Sequence, residues 1–236
     1  MVIKYLDKFE SIFYAVLYSN LTGNFLMSKN EVNNLFKNED YIDIDKMNWQ
    51  QILKEHDEKF GPINWYENDV KELYLLKDKV DLVLRHWKPF KYNLVVSVLN
   101  QAVKFGIDYV LNKESSEAKH FNKLVLQIIQ EVNNALGYIN FIPIEYKKEK
   151  FLIGQYKEEN QIGDLLLKRL QEKYFGYNLL IKTNSEIYLY YFDQIYQVSV
   201  NNYELNLTDK SFNKFWQDFY RKMIRPQYKK AKHALV

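Results

Sequence analysis

Apolar side chains recur at helical spacing through most of the first 136 residues. Stripes with a period of three to four residues predict helices over 9–17, 47–60, 70–84, 92–111 and 121–136. The short apolar run 2–6 predicts a strand at the edge of a sheet. Asp7, three residues before Glu10, has the spacing of a capping box at the start of the first helix. This half of the chain is therefore expected to be mainly helical.

The pattern changes after Gly137, which suits the C′ position of the preceding helix. A hairpin is predicted from 138–146 and 151–156 across the turn Lys147–Lys150, with Pro143 placing its first strand at an edge or a bulge. A helix over 162–174 follows. Strands are then expected at 177–183, 186–192 and 195–200, joined by two-residue turns at Asn184-Ser185 and Asp193-Gln194, before a last helix from 209 to Pro226.

These elements predict the α+β class: a helical N-terminal half packed with a small antiparallel sheet, made of a hairpin and a three-strand meander, and a C-terminal helix. No repeat or low-complexity linker divides the chain. We expect one domain over 1–236, with 1–136 mainly helical, 137–225 containing the sheet and 226–236 forming a basic tail.

The amino-acid composition excludes several kinds of catalytic and metal-binding site. The chain has no cysteine, which excludes disulfides, cysteine-ligated zinc and thiol catalysis. The four histidines lack the spacing of a helical metal site, so we predict no metal and no cofactor. No signal-peptide core and no 18-residue stretch free of charge occurs. We therefore expect a cytoplasmic protein with no membrane partner.

Charge is distributed unevenly along the chain. Residues 1–120 carry 16 basic and 18 acidic side chains, whereas 121–236 carry 17 and 12. The last 16 residues contain six cations and no acid: Arg221, Lys222, Arg225, Lys229, Lys230 and Lys232. Such a tail is typical either of a contact with a phosphate backbone or of a solvated terminus. A second basic patch is predicted at Lys168, Arg169 and Lys173.

Several stretches together resemble an uncharacterised bacterial family of DNA metabolism and repair proteins. They are Tyr5–Val16, Leu99–Gly106, Glu131 with Gly137–Phe141, and the tryptophan-containing helix Phe215–Arg225. Members are typically encoded beside a radical-SAM protein or fused to a uracil-DNA-glycosylase-like domain. Glu131 and Arg225 are the polar positions that match the family's pattern. The resemblance implies an association with DNA, or with a partner protein in DNA repair.

Two further groups of residues each support two interpretations. Glu145 and Lys147 have the spacing of the second half of a magnesium-dependent nuclease motif, although they also suit a charged hairpin turn. Tyr188 and Tyr190 share one face of their strand and Tyr191 lies on the other. An exposed tyrosine pair can stack nucleobases, whereas a buried pair packs beneath a helix.

The leading hypothesis is a nucleic-acid-associated protein of DNA metabolism that acts by binding DNA or a repair partner. The alternatives are a protein–protein interaction module without a nucleic-acid role, and a metal-dependent nuclease. The sequence leaves open whether the protein is an enzyme.

Overall fold

A computed structural model describes residues 1–31, 40–202 and 209–224. The chain divides into two compact units, Met1–Gln130 and Glu131–Val236. No helix within the described residues is long and apolar enough to cross a membrane.

The N-terminal unit combines helices with a small parallel sheet. Its strands are β1 (Val2–Tyr5), β2 (Phe25–Ser28) and β3 (Tyr41–Asp43). Its helices are α1 (Phe9–Thr22), α2 (Trp49–Phe60), α3 (Asn64–Asn68), α4 (Val70–Leu84), α5 (Lys91–Phe105) and α6 (Ile107–Leu111), together with the first part of α7 (Ser116–Tyr138). One core built around α1, α4 and α5 holds this unit together.

Two expectations for the start of the chain are wrong. β1 is the central strand, because β2 and β3 pair with it on either side. The capping box does not form, since the N-terminus of α1 has no side-chain cap. Asp7 is engaged elsewhere: its carboxylate accepts hydrogen bonds from Ser28, Asn30 and Tyr92. Asp7 therefore ties the ends of β1 and β2 to α5.

Two helix ends also differ from the prediction. The helix expected over 92–111 is interrupted at Gly106, whose φ of 92° ends α5 before α6 begins. Hydrophobic periodicity continues through the break and so conceals it. Gly137 is not at a C′ position, because α7 runs on to Tyr138.

The C-terminal unit contains a five-stranded sheet. The strands lie in chain order: β4 (Phe141–Tyr146), β5 (Glu149–Gln155), β6 (Asn178–Lys182), β7 (Glu186–Tyr191) and β8 (Gln194–Ser199). The helix α8 (Gly163–Lys173) connects β5 to β6, and α9 (Asp209–Phe219) continues as a π-helical turn, Tyr220–Ile224. The α+β class is confirmed. Pro143 lies on the edge strand, as predicted.

The sheet is not wholly antiparallel. The hairpin and the meander join through β5 and β6, which run parallel because α8 forms a crossover between them. Two turns are placed differently from the prediction. The first hairpin turns at Lys147-Lys148, with φ of 49° and 70°, so Glu149 belongs to β5. The last turn is Phe192-Asp193 rather than Asp193-Gln194.

The two faces of this sheet are covered by different helices. Alternate residues of β5 to β8 form a core with α9, to which Phe151, Ile187 and Tyr191 belong. The intervening residues face α8, which packs on β6 and β7. At Gly163 the backbone of α8 meets the ring of Tyr188 so closely that a Cβ would overlap it. A helix on each face buries both sides of the sheet.

Candidate nucleic-acid interface

A cleft of about 330 Å³ opens between the turn of the first hairpin and the end of α9. Its lining combines three aromatic rings with three polar side chains: Tyr146, Trp216 and Tyr220, and Lys147, Glu149 and Gln217. All six residues lie in the C-terminal unit.

One wall of the cleft is aromatic, because the apolar stripe of α9 consists of large rings that pack on the sheet. Phe212, Phe215, Trp216 and Phe219 are all buried against the sheet. The ring of Trp216 lies 4.7 Å from that of Phe151, between centroids. Tyr220 comes next, 6.0 Å from Trp216, and remains 39% exposed. The stripe therefore ends in a ring that packs on one side and meets solvent on the other.

The opposite wall comes from the hairpin. The Lys147 ammonium lies 5.4 Å from the centroid of the Tyr146 ring, within the range of a cation–π contact. Gln217 Nε2 donates a hydrogen bond of 3.3 Å to the Tyr146 hydroxyl, across the cleft. The two walls are thus joined by one long hydrogen bond between side chains 71 positions apart.

Glu149 also lines the cleft, and it lies opposite Tyr146 in the strand register. Its Oε1 accepts a hydrogen bond of 2.9 Å from the Tyr191 hydroxyl. Its Oε2 is shielded from solvent and has no hydrogen-bond partner among the described residues. The described part of the chain thus holds this carboxylate through Tyr191 alone.

Two of the predicted phosphate contacts lie directly beyond Tyr220. Arg221 and Lys222 are both exposed. Arg221 Nη2 lies 2.6 Å from Asp218 Oδ1, but both side chains are open to solvent, and exposed ion pairs of this kind contribute little free energy. An incoming phosphate can therefore compete for Arg221. Arg225, Lys229 and Lys230 lie outside the described residues.

The second predicted patch lies on the other side of the sheet. Lys168, Arg169 and Lys173 are exposed on α8. The Lys173 ammonium is 5.2 Å from the centroid of the Tyr174 ring. Because α8 and α9 cover opposite faces, these side chains do not form one continuous surface with Arg221 and Lys222.

The two residues of the predicted nuclease motif, Glu145 and Lys147, lie on the first hairpin of the C-terminal unit. Glu145 is exposed on the edge strand β4, opposite Lys150, and Lys147 is in the turn. Within the described ranges, no group of three histidine or acidic side chains is arranged to hold a metal ion. Among the residues that the structure describes, Glu145 therefore belongs to no such group.

Glu131, the acidic position that matches the family's pattern, anchors a loop. Its Oε1 accepts hydrogen bonds from the backbone N–H groups of Glu159 and Asn160, at 2.7 and 3.2 Å. Its Oε2 accepts one from Asn160 Nδ2, at 2.5 Å. These three bonds fasten the loop before α8 to α7, and they define Glu131 as a positioning residue.

Glu158, at the start of that loop, is a buried carboxyl. Thr183 Oγ1 donates to its Oε1 at 2.6 Å, while Oε2 has no partner among the described residues. Burial raises the pKa of Glu158, and the nearby Glu131 carboxylate adds to the rise, although the Thr183 hydrogen bond opposes it. Glu158 therefore holds a proton to higher pH than an exposed glutamate.

The tyrosine pair on β7 is buried. Tyr188 and Tyr190 are 1% and 9% exposed, which confirms the packing interpretation over an exposed stacking platform. The exposed ring available for stacking at the cleft is instead Tyr220. Glu149 did not stand out in the sequence, because a lone glutamate in a charged hairpin carries no distinctive spacing.

The N-terminal unit contains a separate cavity of about 530 Å³, lined in part by His56, Phe60 and Lys104. His56 is 3% exposed, and its Nδ1 has no hydrogen-bond partner among the described residues. Burial lowers the pKa of His56, against the opposing effect of Asp57. The imidazole is therefore neutral at pH 7.

The part of the chain that contains the cleft matches a known protein family. The family described as a domain of unknown function, DUF4130, matches residues 89–234. The chain belongs to this family. The DUF4130 match begins just before α5 and includes the cleft, both basic patches and Glu131. No curated protein matches the sequence.

Proposed function

We propose that this DUF4130 protein is a nucleic-acid-binding protein of DNA metabolism, and that single strands bind along the α9 side of its C-terminal unit. The observation that carries the proposal is the aromatic cleft flanked by Lys147, Arg221 and Lys222. Grooves that combine stacking rings with cations are typical of single-strand binding.

The two kinds of side chain supply different parts of the affinity. Cations release counterions from the phosphate backbone, which gives an attraction without sequence preference that weakens with salt. An exposed ring such as Tyr220 offers a face on which a base can stack, worth about 1–3 kcal/mol per base. Arg225 and the basic tail 226–236 follow Lys222 in the chain, so they continue the run of cations that begins at Arg221.

The link to DNA metabolism rests on the resemblance of residues 5–225 to the family of DNA metabolism and repair proteins. The protein would act by holding a strand rather than by cleaving it. A partner protein in repair would then meet the DNA already bound to this surface. Cleavage, if present, would require magnesium and disappear in Glu145→Gln.

The test is fluorescence anisotropy with labelled single- and double-stranded DNA across a salt series. We expect tighter binding of the single strand, with a logarithmic salt slope of about −0.7 for each phosphate contact. Reversing charge in the tail, with Arg225→Glu, Lys229→Glu and Lys230→Glu together, should weaken binding and flatten that slope. Replacing the same residues with glutamine provides the matched neutral control.

The absence of binding at the lowest salt would contradict the proposal. A protein-interaction module would then be the better account, and it predicts that a partner is recovered from cell extract in equal yield after nuclease treatment. Equal affinity in the charge-reversed tail variant would remove the tail from the binding surface but leave the cleft.

A further inference from the structure

We propose that the turn Lys147-Lys148 binds a phosphate group at the edge of the cleft, and that its two lysines lower the stability of the hairpin they close. This inference rests on the proposed function and adds a binding residue, Lys148, that the lining of the cleft does not include. It starts from the backbone conformation of the turn.

The turn holds two lysines in a conformation that suits neither of them. Tyr146 pairs with Glu149 at the end of the hairpin, so the loop consists of Lys147 and Lys148. Their φ angles are 49° and 70°, in the left-handed region. A two-residue loop with positive φ at both positions favours asparagine followed by glycine, because glycine has no Cβ and asparagine can hydrogen-bond locally. The lysines therefore make this turn less stable than its geometry allows.

A second turn of the same unit shows how such a conformation can be supported. Phe192 and Asp193 close the hairpin of β7 and β8 with φ of 47° and 58°. Aspartate tolerates the left-handed region, and Asp193 Oδ1 accepts a hydrogen bond of 2.5 Å from the Tyr190 hydroxyl. In the described part of the chain, the Lys147 side chain has only its cation–π contact with Tyr146, and no hydrogen bond holds the side chain of Lys148.

Both lysines carry their charge into solvent beside the cleft. Each is exposed, and Lys147 lines the cleft together with Tyr220. Neither ammonium forms an ion pair with a carboxylate of the described residues, whereas Arg221 is paired with Asp218. The turn therefore offers two cations to a phosphate group near the aromatic rings.

A bound phosphate accounts for both the charge and the strain. Strained backbone conformations cluster at ligand-binding sites, where the surrounding structure holds them in place. In a strand with one base stacked on Tyr220, that nucleotide has a phosphate on each side. Because the cleft opens between the hairpin turn and the end of α9, the turn would contact one phosphate, and Arg221 and Lys222 would contact the other.

The experiment separates charge from backbone conformation with three double variants. Lys147→Asn with Lys148→Gly removes both charges and gives the turn its favoured residues. Lys147→Gln with Lys148→Gln removes the charges but keeps the strain. Lys147→Arg with Lys148→Arg keeps both charges.

Anisotropy with single-stranded DNA should show the same loss in the two neutral variants. Their affinity should fall by about tenfold or more at low salt, and the logarithmic salt slope should become less steep by about 0.7 for each lost contact. The arginine variant should bind like the wild type. In thermal melting, the variant with the favoured turn residues should have a Tm about 2–4 °C above that of the glutamine variant.

The inference and the proposed function fail in different ways. Wild-type affinity in both neutral variants overturns the phosphate contact at the turn but leaves nucleic-acid binding in place. An arginine variant that binds as weakly as the neutral ones also overturns the phosphate contact. Equal Tm values for the two neutral variants overturn the claim that the lysines strain the hairpin. If the wild-type protein binds no DNA at low salt, the inference and the proposed function are both wrong.

Discussion

The two faces of the C-terminal sheet carry helices that both end in exposed cations but that pack on the sheet in different ways. On one face, the α8 backbone packs directly on the sheet at Gly163, and its basic residues stand on the outer surface of the helix. On the other, α9 packs through large rings, and its last aromatic residues border a cleft beside Arg221 and Lys222.

Both faces therefore carry exposed positive charge, but the surroundings of that charge differ. Lys168 and Arg169 are exposed, as are Arg221 and Lys222, yet the latter pair directly follows Tyr220, whose ring lines the cleft. The predictions below test this difference, beginning with the largest effect.

The aromatic packing under α9 should give the largest loss of stability. Trp216 is 4% exposed and contacts Phe151 and Tyr191 through its ring. We expect Trp216→Ala to lower the free energy of unfolding by about 3–5 kcal/mol, because it removes a buried ring and leaves a cavity. Urea unfolding followed by circular dichroism measures the change. Trp216→Phe, which keeps a ring, should lose less, and an equal loss would contradict the packing account.

Disturbing the close contact between Gly163 of α8 and the Tyr188 ring should give the next largest loss of stability. In Gly163→Ala the new methyl group meets the Tyr188 ring, and overpacking of this kind destabilises by about 1–3 kcal/mol. The midpoint of urea unfolding provides the measurement. If the contact is the cause, combining Gly163→Ala with Tyr188→Leu should cost less than the sum of the two single changes. Strict additivity would argue against it.

The buried Glu158 should make a smaller contribution to stability, and that contribution should depend on pH. Its pKa is raised in the folded state, so the folded protein binds the proton more tightly than the unfolded chain. Stability should therefore fall as pH rises from the ordinary glutamate pKa of 4.5 through the raised one. Glu158→Gln removes this loss, and its Tm relative to wild type should increase with pH over that window.

The neighbouring residue offers a matched control for Glu158. Glu159 is exposed, and it contributes its backbone N–H, rather than its carboxylate, to the contact with Glu131. Glu159→Gln should show no such trend in Tm between about pH 4 and 8. A flat profile for Glu158→Gln as well would mean that burial does not hold the Glu158 proton.

Much of the fold could be predicted from local patterns. The helices and the strands of the C-terminal unit follow hydrophobic periodicity, and Pro143 correctly marked an edge strand. The parallel pairing of β5 with β6 could not be predicted, because it depends on the path of a crossover rather than on either strand. The strands β2 and β3 are too short, at four and three residues, for alternation to be visible.

The candidate site was only partly accessible to sequence reasoning. Arg221 and Lys222 were found through a local excess of charge. The cleft beside them was missed, because it joins Tyr146 to Gln217 across 71 positions of the chain. Glu149 was missed for a related reason: it lines the cleft and accepts a hydrogen bond from Tyr191, 42 positions away, and only the folded sheet brings these groups together.

The most direct test of the account is a reciprocal charge reversal on the two faces, measured by anisotropy with single-stranded DNA at low salt. The double variant Arg221→Glu with Lys222→Glu should weaken binding by about tenfold or more, because two phosphate contacts become repulsive. The matched variant Lys168→Glu with Arg169→Glu, which changes net charge equally, should alter affinity by less than about twofold. Equal losses from the two variants, or a larger loss from the α8 pair, would contradict the assignment of the binding surface to the α9 face.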